Sequence, residues 1–267
     1  MSDLKIGVLE TGRPPAELVE EFVSYPKMMA DWLAPLGGSV SSWAALDGDL
    51  PDSPNEADLW VITGSKFGVY EDRAWIRALE QFVRDCRDAD RPMVGICFGH
   101  QVIAKALGGT VVKSDKGWGV GVHEYAPTDW SDEALSGAPD ALQMAVFHQD
   151  QVTTPPEGAK VVASSEFCEN AALWYPGFAV TVQGHPEFGA AYEKALMLRK
   201  TDNPLAESDV KNGMSTVDNP TNSPDLVKII EYALLKSRQS KAGAQERVTR
   251  PAISPFEAIR LRGVGMK

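Results

Sequence analysis

Residues 95–101 read GICFGHQ, and residues 184–188 read GHPEF. In the first stretch Cys97 has Gly95 and Gly99 at i−2 and i+2, where the apolar run RPMVGI (91–96) gives way to the helical pattern FGHQVIAKALGG (98–109). G-x-C-x-G is the spacing of a nucleophile elbow. The reactive side chain stands on a tight, strained turn, and strand and helix cross too closely for side chains at i±2. A thiol at a helix start also feels the helix dipole, which favours thiolate. The N–H of Phe98 then points to where an oxyanion would form.

A nucleophile needs a base, and the chain has four histidines: His100, His123, His148 and His185. His185 leaves the apolar run VTVQ with Glu187 two positions on. A carboxylate there can hold the imidazole tautomer while the ring takes the thiol proton. Alone, Cys97 reads as a small core residue and His185 as a hydrogen-bonded turn histidine. With the paired glycines and Glu187 they read as a Cys-His-Glu triad. Cys86 lies on a helix stripe and Cys168 in SSEFCEN, and neither is given a role. His100 reads as structural and His123 is left unassigned.

The elements that must carry these residues follow from the hydropathy pattern. LKIGVL (4–9), ADLWVITG (57–64) and RPMVGI (91–96) read as short buried strands, with GSVSSWAAL (38–46) as a candidate strand. Leu18, Phe22, Met29 and Trp32 recur near helical spacing, with a break expected at Pro26. Ile76, Leu79, Val83 and Cys86 form one stripe of a helix over 73–88. This β-α-β-α-β-α order implies a parallel sheet covered on both faces. The middle of the chain is strand-rich without a long helix, so antiparallel or mixed pairing is expected there. FGAAYEKALMLRK returns to a helical pattern, 201–222 is polar and takes no assignment, and 223–238 reads as a helix with Ser223 as N-cap and Pro224 in its first turn.

The 267 residues carry a net charge of −11, which repels phosphate and argues against nucleic acid and anionic membrane as partners. The opening residues MSDLKIGVLETG lack a basic and a long apolar region, so no secretory leader is expected. No run approaches the roughly 18 apolar residues of a membrane span. Three widely spaced cysteines argue for a reducing compartment, and cytoplasm is the expected location. From Lys236 onward eight Lys/Arg and two Glu give net +6, leaving −17 on the rest. The expected organisation is a domain over 1–238 and a basic, solvated tail over 239–267. The sharper reading of the tail is that it packs on its own acidic body or on a second protomer.

GICFGHQ and GHPEF resemble the two signature segments of class I glutamine amidotransferases, in the same order along the chain. VITGS (61–65) is similar to that family's oxyanion strand, and the resemblance runs from about residue 4 to about residue 200. With the element order, it implies a three-layer α/β/α sandwich, flavodoxin-like, with a mixed sheet and a small antiparallel subsheet. It implies that Cys97 attacks the γ-amide carbon of glutamine, that Gly64 and Phe98 N–H groups hold the oxyanion, and that His185, oriented by Glu187, protonates the leaving group. Gln101 would line the glutamine pocket. KGWGVGVHEY and VFHQDQV resemble the segments that hold the α-amino and α-carboxyl groups, with Trp118, His148 and Asp150 as candidates. Trp118 reads equally as a packed aromatic, and Asp150 as a turn carboxylate.

The chemistry needs no organic cofactor, and no Cys-x-x-Cys pair or ligand-spaced histidines suggest a metal. No G-x-x-x-x-G-K-[ST] loop accompanies the triad, so a complete synthetase is not expected. GSKFGVYEDRAWI (64–76) resembles GMP-synthase-like proteins that include γ-glutamyl peptidases, which favours a stand-alone hydrolase acting on a small γ-glutamyl substrate. A glutaminase subunit feeding ammonia to a synthetase is the second reading. A non-catalytic module on the same fold ranks last, because Cys97, His185 and Glu187 are all present. A homodimer or a synthetase is the macromolecular partner these readings leave open.

Overall fold

The computed structural model describes residues 4–129, 135, 139–200 and 203–236. The basic tail, 239–267, lies outside the described residues. Eleven strands are seen among the described residues: β1 (Lys5–Leu9), β2 (Ser39–Trp43), β3 (Leu59–Ile62), β4 (Met93–Ile96), β5 (Thr110–Lys113), β6 (Gly119–Pro127), β7 (Leu142–His148), β8 (Asp150–Thr154), β9 (Lys160–Ser164), β10 (Ala172–Tyr175) and β11 (Ala179–Val182). The helices are α1 (Val19–Phe22), α2 (Tyr25–Leu33), α3 (Ala74–Asp88), α4 (Phe98–Ala106), α5 (Ala190–Leu198), α6 (Glu207–Thr216) and α7 (Ser223–Ile230).

Nine strands form one mixed sheet in the order β2-β1-β3-β4-β11-β10-β9-β6-β7, and β5 and β8 pair separately. The β2-β1-β3-β4-β11 half is parallel, and the remaining pairings are antiparallel. Parallel strands are covered on both faces, which is why β3, β4 and β11 are buried at every position. Side-chain alternation divides each strand between two cores. Leu59 and Val61 pack with Met29, Leu33, Leu226 and Ile230 on the α2/α7 face. Trp60 and Ile62 pack with Ile76, Leu79, Phe98 and Val102 on the α3/α4 face. The result is the expected three-layer α/β/α sandwich. No helix among the described residues is long and apolar enough to cross a membrane.

Local readings differ from the fold in three places. The break near Pro26 falls earlier, at Val23 (φ 59°). Ser24 caps α2 by accepting from the Lys27 N–H, and Pro26 sits in the first turn, where its missing N–H costs nothing. At α7, Asn222 rather than Ser223 holds the N-cap position, and its side chain bridges the Gln143 N–H and the Ala141 carbonyl instead of capping. The unassigned polar stretch contains α6. Its residues ESDVKNGMST bury only Gly213, so no apolar stripe marks it. Its Thr216 hydroxyl accepts from the Val122 N–H of β6.

Candidate active site

Cys97 is the single residue between β4 and α4, at φ 52° and ψ −101°. A non-glycine residue in that region costs about 1–3 kcal/mol of strain and persists only where its surroundings over-determine it. Here they do. The Cys97 N–H donates to the Val182 carbonyl at 2.9 Å, and its carbonyl accepts from the Gln101 N–H at 3.1 Å. The flanking glycines are required by contact. A Cβ on Gly95 would lie 2.7 Å from the Gly99 carbonyl, and one on Gly99 would lie 2.4 Å from the Ile62 carbonyl. The first turn of α4 thus rests on β3 and β4 with no side chain between them. Phe98 opens α4, so its N–H has no acceptor within the helix.

His185 arrives from the end of β11, next to β4 in the sheet. Its N–H donates to the Ala145 carbonyl of β7 at 2.7 Å, an isolated antiparallel bridge. Its Nδ1 meets Glu187 Oε1 at 2.8 Å, with the two side chains 5% and 1% exposed. The ring stacks on Phe188, and the Cys97 side chain is near enough to act on its charge. Because Nδ1 is taken by Glu187, Nε2 is the nitrogen left for sulfur. Burial opposes protonation of this imidazole. The Glu187 carboxylate and Cys97 outweigh it, so the ring is raised from 6.5 to about 10. Gly64 ends the β3 segment against this ring: a Cβ there would lie 2.7 Å from His185 Cε1. Its carbonyl accepts from the Thr11 and Thr63 hydroxyls, which hold the strand end in place.

The four candidate pocket residues fall into two groups. Gln101, His148 and Asp150 lie together. Gln101 Nε2 donates to the Asp150 carbonyl at 2.9 Å, and His148 Nδ1 lies 3.2 Å from the same oxygen. The Asp150 carboxylate accepts from the Tyr70 hydroxyl at 3.1 Å. Burial pushes His148 down to about 3, so it is neutral. Trp118 stands apart, packed on Phe147 in a small apolar cluster with Val120 and Met197. His100 is buried and its Nδ1 lies 2.8 Å from Thr181 Oγ1.

Comparison with known proteins shows the family of the chain. Residues 54–202 match the glutamine amidotransferase class-I family. The chain belongs to that family. A glutamine amidotransferase-like protein of Schizosaccharomyces pombe is 29% identical over 87% of this chain and 99% of its own. Gamma-glutamyl peptidase 4 of Arabidopsis thaliana is 28% identical over 83% of this chain and 89% of its own. The crystal structure of a Thermotoga maritima glutamine amidotransferase superposes with a TM-score of 0.65 at 24% identity, covering 86% of this chain and 98% of that one.

Within this candidate site of a class I amidotransferase family member, two contacts escape sequence reading. Phe188, adjacent to the His-Pro-Glu segment, supplies the face on which His185 lies. Gln183, fully buried, donates from Nε2 to Cys97 Sγ at 3.6 Å and accepts from Gln101 Nε2 at 3.1 Å. The available signal was alternation: Thr181 and Gln183 share a strand face, and both meet α4, at His100 and Gln101.

Proposed function

We propose that the chain hydrolyses a γ-glutamyl amide bond, in glutamine or a γ-glutamyl amide or peptide, through a thioester on Cys97. The observation that carries this reading is the meeting of a strained Cys97 with the His185–Glu187 pair. The γ-glutamyl peptidase relative supports the substrate class.

With the Cys97 proton already resting on His185 Nε2, the thiolate sulfur bonds to the γ-carbonyl carbon. The Gly64 and Phe98 N–H groups hold the oxyanion. Collapse breaks the C–N bond, and His185 returns the proton to the departing nitrogen. Water then attacks the thioester with His185 as base, the C–S bond breaks, and glutamate leaves. Glu187 keeps Nδ1 protonated throughout. In this reading Gln101, His148 and Asp150 line the glutamyl end, while Trp118 packs apart from them on Phe147.

The test is turnover by the purified chain on glutamine and a panel of γ-glutamyl amides and dipeptides. Release of amine or amino acid, lost in Cys97→Ala, is the expected result. Ammonia from glutamine only in the presence of a synthetase would instead favour a glutaminase subunit. Full turnover by Cys97→Ala would overturn the assignment.

A further inference from the structure

We propose that Gln183 is a further catalytic residue: its side-chain amide donates a hydrogen bond to Cys97 Sγ, and Gln101 is the positioning residue that aims it. The proposal rests on the reading of Cys97 as the nucleophile.

Hydrogen-bond logic fixes which end of the amide faces sulfur. The Asp150 carbonyl can only accept, so Gln101 must present its NH2 group there. That group's second hydrogen needs an acceptor, and Gln183 Oε1 lies 3.1 Å away. With its oxygen so engaged, Gln183 must turn its NH2 toward Cys97 Sγ, 3.6 Å distant. The chain Asp150 carbonyl–Gln101–Gln183–Cys97 thus runs in one direction, and flipping either amide would set two donors or two acceptors face to face. Gln183 is fully buried, so water does not compete for this donor.

A donor on sulfur matters most when sulfur carries charge. It stabilises the resting thiolate against the thiol. During acylation the sulfur electron pair becomes the S–C bond, and the donor loses its charged partner. When water has added to the thioester, the C–S bond breaks and the pair returns to sulfur. The amide then receives the departing thiolate, so thioester breakdown is the step Gln183 assists.

The test is the pH dependence of Cys97 alkylation by iodoacetamide, followed on the Cys97-containing peptide by mass. No substrate is needed. In Gln183→Met, which keeps length and removes the donor, the midpoint should rise by about one pH unit. With a γ-glutamyl substrate, thioester should accumulate in the variant and not in the wild type. Gln101→Met, which leaves the donor but not its anchor, should shift the midpoint the same way by less, and it serves if Gln183→Met does not fold. Midpoints that coincide with wild type in the folded variants would overturn the proposal. Because alkylation is independent of turnover, that failure is separate from failure of the hydrolase reading, which Cys97→Ala decides.

Discussion

The imidazole of His185 lies flat on the ring of Phe188, with centroids 4.0 Å apart and planes within 6° of parallel. Phe188 is itself wedged edge-on to Tyr192, 4.6 Å away, and tilted against Tyr25, so it cannot yield. The stack fixes the ring plane while Glu187 fixes its rotation.

Phe188→Leu should therefore cost activity without costing binding. Aromatic stacking is worth about 0.5–1.5 kcal/mol beyond buried area, or up to roughly tenfold in rate. The expected outcome is kcat lowered by about tenfold with KM nearly unchanged, measured by steady-state kinetics. An unchanged kcat would show that Glu187 alone orients the ring.

Gly64→Ala places a methyl where it meets His185 Cε1 at 2.7 Å. The imidazole is held from three sides and must shift as a unit. A displacement on the order of 1 Å at a catalytic group can cost 10²-fold, and overpacking costs roughly 1–3 kcal/mol of stability. Kinetics and urea unfolding of the same variant check both. The backbone N–H remains, so the loss reports on His185 rather than on the oxyanion donor.

Cys97→Ser should fold and lose turnover, because the hydroxyl fits the elbow but does not ionise with this base. Glu187→Gln should retain more activity than Cys97→Ala, by a factor on the order of 10–100, since an orienting group is worth less than the nucleophile. Equal losses would mean that Glu187 does more than orient.

Glu193 of α5 is fully buried and accepts from the Gly121 N–H at 2.7 Å. Burial raises its carboxyl from 4.5 to about 7, against the opposing pull of that N–H and of His185. The unfolded chain releases this proton near 4.5, so stability is fullest below that value and falls as pH rises toward 7. The loss from this group is ~3 kcal/mol above pH 7. Glu193→Gln should flatten the fall. Urea midpoints at pH 5 and pH 8 measure it, and parallel changes in both proteins would contradict the assignment.

What the sequence by itself determined is local. Gly95, Cys97 and Gly99 span five residues between a strand pattern and a helix pattern, and the steric rule that joins them acts within those residues. His185 and Glu187 are two positions apart, so their 2.8 Å contact was legible without a fold. The alternation of the β1, β3 and β4 runs with helical stripes announced a parallel sheet, because parallel neighbours need a crossover between them. Only the tertiary structure decided the rest. Setting β11 beside β4 brings the Val182 carbonyl to the Cys97 N–H and Gln183 to the sulfur. Folding β7 past β11 lets Ala145 anchor His185. Trp118 fell into an apolar cluster away from Gln101 because side-chain neighbours across strands leave no mark on sequence periodicity. α6 stayed hidden for the opposite reason. It buries a glycine and accepts a backbone hydrogen bond from β6, and neither contact requires an apolar stripe.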